Sequence, residues 1–343
     1  MTTRKWRERR WPREVEVGIK QSILPQRRKG AKAELKRTLH LSLRLCAFAG
    51  VCFCLTWASP ATRQRSPTYT SPTTLGNIKD KSISESSGLV ASRTTPGAYW
   101  THNDSGDGPF IYAFDTRGDS LGVFRVTGAS ARDWEDSAAG PGPQPNKSYL
   151  YIGDIGDNNG SRSEVIVYRV PEPALSSATR NLTRKQPGST EPAEAIRLKY
   201  PDGNHDAETL LVHPTTGNIY IVTKVLLSKP GVYEAAAPLI AGKLITMRKV
   251  GEARVSSLFG GVITGGSISP DGRRVALCDY FQAYEMVLPA NTRDFNAIWK
   301  EKMTGINLGK RKQGESITYR LDSKALLATS EGKQSPLIQV ERR

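Results

Sequence analysis

The chain has 343 residues, 38% of them apolar, and a formal net charge of +16. The charge is unevenly placed, because residues 1–65 carry 16 Lys and Arg against 4 Asp and Glu and so hold +12 of the total. The remainder is close to neutral and shows no helix-turn-helix, zinc-finger or aromatic-interleaved basic pattern, which excludes a nucleic-acid-reading body.

In chain order, residues 1–35 form a basic extension with the composition of a disordered arm. Residues 36–61 read as a signal peptide or short anchor. Lys36, Arg37 and Arg44 precede the apolar run from Leu45 to Ala58, and the small residues Ser59 and Ala61 follow. The run falls short of the roughly 20 residues a membrane span needs. The expectation is an exported protein, periplasmic or extracellular, touching a membrane only if the segment stays uncleaved. Once the segment is removed, Cys278 is the one cysteine left, so a disulfide framework is excluded and the fold must rest on its core. Within "RVALCDY" Cys278 reads as a small buried hydrophobe. Residues 62–83, rich in Pro, Ser and Thr, read as a linker.

Residues 84–343 change character. Short runs with strand composition, such as "FIYAFDT", "EVIVYRV" and "NIYIVTK", alternate with the turn stretches "TRGD", "DNNG", "TTGN" and "SPDG". Five segments share one plan, a polar start, an apolar strand, a turn and a second strand with a polar end. They begin at Glu85, Trp134, Asp206, Gly265 and Gly314. A recurring unit of about 50 residues with four strands is the sequence form of a propeller blade. The fold expected is all-β, a β-propeller of five or six four-stranded blades over residues 84–343, with one whole blade between Trp134 and Pro173.

"SPDGRRVAL" and "HPTTGNIYIVTK" resemble strand-turn-strand elements of TolB-like and gluconolactonase-like exported propellers. The series "THNDSGD", "RDWEDSA", "YIGDIGDN", "DAETLL" and "GES" resembles uncharacterised bacterial exported propeller proteins across nearly all of residues 84–343. The resemblance implies a fold and names no settled activity.

In a propeller the inner strands line a central channel, so equivalent polar positions of different blades meet at its mouth. Glu85, Glu135 with Asp136, Glu208 and Glu315 open first strands. Asn103 with Asp104, Asp154 with Asp157, Lys224, Asp279 and Glu331 close second strands. Converging carboxylates need a cation or hydrogen-bond donors. Asp104, Glu135, Asp136, Asp154, Asp157 and Glu208 are the candidate metal ligands, and an all-oxygen set suits Ca²⁺. The alternative is that these acids cap strand ends and pair with Lys224 or Arg132. His102 and His205, each beside carboxylates, are the candidate catalytic bases of a metal-dependent mechanism. Two functions stay open: a monomeric binding module for a small molecule, glycan or envelope component, and a metal-dependent hydrolase of the lactonase, esterase or phosphoesterase type.

Overall fold

The computed structural model describes residues 68–255 and 262–343, so the basic extension and the signal or anchor segment lie outside the described residues. Five sheets, each with an antiparallel four-stranded body, follow one another along the chain as the blades of a propeller. Their inner strands are Gly88–Ala91, Trp134–Pro141, Ala207–Val212, Gly265–Ile268 and Gly314–Tyr319. Each inner strand neighbours the next, and the fifth neighbours the first, which closes the ring around the channel.

The blades are buried on both faces, which is why their strands read as near-continuous apolar runs. Five separate apolar layers fill the spaces between neighbours. Trp100 and Trp134 pack with Ile152 and Val170 between blades 1 and 2, and Leu211, Val222, Leu277 and Trp299 fill the space between blades 3 and 4. Cys278 belongs to the layer between blades 4 and 5 and is fully buried. Burial pushes its thiol up to about 12, so it stays protonated and inert at neutral pH.

Three features depart from a plain repeat. The segment expected as a linker supplies Thr73–Asn77, which pairs with Pro336–Glu341 as the outermost strand of blade 5. Ring closure thus joins the two ends of the folded region, and the pairing depends on partners more than 250 residues away, invisible to local composition. Blade 2 does not end by Pro173. It takes three strands from that span, Trp134–Pro141, Ser148–Asp154 and Val165–Pro171, and its fourth is Glu194–Lys199. The intervening excursion first crosses to blade 1, where Gly188–Ser189 pairs in parallel with Ser120–Arg125. The connection leaving the third strand of blade 3 likewise adds Leu244–Thr246 to the edge of blade 2. Such covering pairs occupy backbone groups that an exposed edge would offer to another chain. Among the described residues no helix is long and apolar enough to cross a membrane.

Candidate metal centre at the channel mouth

Four of the five blades place a glutamate at the start of the inner strand: Glu85, Glu135, Glu208 and Glu315. In blades 2, 3 and 5 the register with the second strand slips by one residue there. Trp134 pairs with Asp154 and Asp136 with Gly153; Ala207 with Thr223 and Thr209 with Val222; Gly314 with Ser330 and Ser316 with Thr329. The residue skipped is the glutamate in every case. A bulge frees one residue from the ladder and re-aims its side chain, so the three bulges turn acids that would otherwise follow the pleat toward the mouth. In blade 4 the residue that follows Gly265, as Glu315 follows Gly314, is Gly266, which pairs with Leu277 in an unbroken ladder and where a Cβ would stand 2.8 Å from Leu211 Cδ2. The ring of acids is therefore open at blade 4.

These carboxylates are buried and feel one another. Glu135 is 7% exposed, and Glu208 and Glu315 are each 8% exposed. Burial, and next the charge of Glu208, pushes the Glu135 carboxyl up to about 10. Burial and Glu208 push Glu315 up to about 9. Glu208 also rises through burial, but the ammonium of Lys224 pulls it back to about 7. Their neighbours differ. Glu208 forms an ion pair with Lys224, while Gln313 Nε2 donates to Glu315 at 2.8 Å and to Glu331 at 2.6 Å. Oε2 of Glu208 has no hydrogen-bond partner among the described residues. Glu135 makes no hydrogen bond and no ion pair among the described residues.

Beside Glu135 lie two further carboxylates. One oxygen each from Asp104, Asp133 and Glu135 come within 4.8 Å of one another, a grouping able to hold a metal ion. They arrive from three places: the loop after the second strand of blade 1, the residue before the inner strand of blade 2, and the bulge itself. Gly156 walls the group, since a Cβ there would lie 2.2 Å from Glu135 Oε1 and 2.4 Å from an Asp133 oxygen. Asp133 is fixed through its backbone, its N–H donating to Asp154 Oδ1 at 3.2 Å and its carbonyl accepting from Gly156 at 3.3 Å. Its carboxyl is raised by burial and by Asp104 and Asp206.

The remaining candidates stand elsewhere. Asp154 is 1% exposed and spends its oxygens on Arg162 Nη1 at 2.8 Å and on the N–H groups of Arg132 and Asp133 at 3.2 Å each. Asp157 accepts from the backbone of Ser161 and Arg162 at 2.9 and 2.8 Å and so shapes its own loop. Asp136, one residue past the bulge, accepts from the N–H groups of Ser137 at 2.7 Å, Leu210 at 3.0 Å and Gly266 at 3.3 Å, tying blades 2, 3 and 4 together. His102 is fully buried, its Nδ1 2.9 Å from the Asn103 carbonyl oxygen and its ring edge-on to Trp134. Burial holds His102 below its usual range. His205 Nε2 lies 2.9 Å from Asp202 Oδ1 and 3.1 Å from the Tyr233 hydroxyl, on an outer loop. Neither histidine belongs to the oxygen cluster. Of the expected ligands, Asp104 and Glu135 come together; Asp133 and the wall at Gly156 were not anticipated.

No family model and no curated protein sequence matches this chain. Among solved structures, hydrazine synthase of Kuenenia stuttgartiensis is similar over 71% of this chain and 80% of its own, at 8% identity and a TM-score of 0.37. An overlap that loose carries no functional argument.

Proposed function

We propose that the propeller is an exported, calcium-dependent binding module whose ion is held by Asp104, Asp133 and Glu135 and presented at the channel mouth to an oxygen-rich ligand, a small molecule, a glycan or an envelope component. One observation carries this reading. Glu135, 7% exposed and turned out of the ladder by a bulge, lies next to two half-buried carboxylates and accepts no hydrogen bond among the described residues. An unpaired buried carboxylate is costly and persists where a cation balances it. The donors are all oxygen and irregularly disposed, which suits Ca²⁺ over Zn²⁺. Calorimetric titration of Ca²⁺ into chelator-treated protein tests this, with Glu135→Gln expected to abolish the heat.

A second reading, hydrolysis of a small ester or phosphoester at the same ion, is favoured by Glu208. Its carboxyl sits at about 7, one oxygen is free of partners, and its charge is felt strongly by Glu135. A carboxylate with a free oxygen near a cation that would hold a water has the attributes of a general base. Turnover of chromogenic esters or phosphoesters that needs Ca²⁺ and disappears in Glu208→Gln would establish it.

A further inference from the structure

The mouth face is divided by charge and polarity. The metal group belongs to blades 1 and 2. On the same end the rim loops of blades 3 to 5, residues 224–230, 307–313 and 331–335, expose Lys229, Lys310, Lys312 and Lys333. Lys224 is spent on Glu208, and the carboxylates Glu208, Asp279 and Glu315 of these blades are buried. Asp202 and Asp206, before the inner strand of blade 3, are the acids that offset this rim. These loops adjoin. Lys224 Nζ stands 6.0 Å from the centre of the Tyr280 ring, and a Cβ on Gly332 would lie 3.6 Å from Lys312 Cδ.

The same sector holds the three most exposed large hydrophobic side chains among the described residues: Leu227 at 76%, Leu226 at 68% and Phe281 at 64%. Leu227 adopts φ +60°, the left-handed region that a residue with a Cβ rarely enters. Non-glycine residues held there gather at ligand clamps and binding loops. Scattered surface leucines need no explanation, but protruding apolar tips set among lysines at one end of a molecule do.

We propose that the mouth face docks on an anionic lipid surface, with Leu226 and Leu227 entering the interface, the flanking lysines meeting headgroup phosphates, and the ion at Asp104, Asp133 and Glu135 bridging to a lipid phosphate. Apolar tips ringed by Lys and Arg are the chemistry of an interfacial anchor, and the basic loops complement negative headgroups. The acidic sector of blades 1 and 2 would repel those headgroups when empty. Filling it with a divalent cation removes the repulsion and supplies a ligand position for phosphate oxygen. Docking is therefore calcium-dependent, and this part rests on the metal reading above.

The test is flotation of the full chain with vesicles of phosphatidylcholine and phosphatidylglycerol at 3:1, and with pure phosphatidylcholine, each in Ca²⁺ and in chelator. Wild type and Leu226→Ser/Leu227→Ser share the same N-terminal segment, so their difference isolates the rim. The expected result is Ca²⁺-dependent binding to the anionic vesicles, weakened on the order of tenfold in the double variant, with calorimetric Ca²⁺ affinity unchanged. Equal flotation of the two proteins would overturn the docking proposal whatever Ca²⁺ does. Flotation that depends on the leucines but not on Ca²⁺ would uphold the apolar rim and overturn the calcium bridge to lipid, while a calorimetric titration without Ca²⁺ uptake would overturn the metal reading. Binding of wild type to dextran sulfate but not to either vesicle would assign the basic loops to a soluble polyanion and overturn the lipid surface.

Discussion

Replacing Glu135 by glutamine should make the metal-free protein more stable at neutral pH, because the wild-type carboxyl is trapped in a site that disfavours its charge. Its pKa rises from the usual 4.5 to about 10 on folding, through burial and then Glu208, Asp104 and Asp133. A carboxyl whose folded pKa is raised costs nothing below the unfolded value, and the penalty grows as pH climbs from 4.5 toward 10. At pH 7 the interval is about 2.5 pH units at about 1.4 kcal/mol each, an upper bound of about 3.5 kcal/mol. Glu208 and Glu315 share the repulsion, so the gain expected from Glu135→Gln is about 1 to 3 kcal/mol at pH 7 and close to zero at pH 4. Calcium should cancel or reverse the difference, since an ion at one hundred times its Kd stabilises the wild type by about 2.7 kcal/mol and leaves the variant nearly untouched. Urea denaturation at pH 4 and 7, in chelator and in Ca²⁺, reads all four states. A variant less stable than wild type in chelator at both pH values would show that the Glu135 carboxylate makes structural bonds, and the reasoning would fall.

Other consequences follow from neighbouring residues. Gly156→Ala should abolish Ca²⁺ binding, because its Cβ would occupy space 2.2 to 2.4 Å from two ligand oxygens; unchanged calorimetric affinity would show that the carboxylates part easily. Asp154→Asn should cost about 3 kcal/mol in urea by leaving the buried Arg162 guanidinium without its counter-charge, and a loss below about 0.5 kcal/mol would mean that the pair is solvated. Asp136→Ala orphans the N–H groups of Ser137, Leu210 and Gly266, so a loss of about 3 kcal/mol or more is expected, and unaltered melting would contradict its role as a tie between blades. Lys224→Met removes the cation that lowers the Glu208 carboxyl, so carboxyl NMR should show Glu208 titrating above about 7; a downward move would refute the assignment.

Much of the architecture was legible because a blade is a local unit. Alternating strands and Gly-bearing turns such as "TTGN" and "SPDG" announce each hairpin, and the polar start of the repeat marks the inner strand, which is how Glu85, Glu135, Glu208 and Glu315 could be aligned without coordinates. What escaped depends on long-range pairing or on one-residue irregularities. Thr73–Asn77 looks like linker until blade 5 offers it an edge. The bulges that re-aim Glu135, Glu208 and Glu315 have no composition signature. Asp154 reads as a metal ligand from the sequence because nothing local signals that Arg162, eight residues on, folds back on it. Asp133 was overlooked although it lies two residues before Glu135 in "RDWED"; acids at i and i+2 beside a strand start were the available signal, since that spacing places them on one side of the chain.

The most direct test of the account is Ca²⁺ titration by calorimetry into the chelator-treated full chain, run beside Glu135→Gln and Asp133→Asn. One saturable site per chain is expected in the wild type and no measurable heat in either variant. A wild type that takes up no Ca²⁺, or variants that bind it as the wild type does, would contradict the assignment of Asp104, Asp133 and Glu135 as a metal centre.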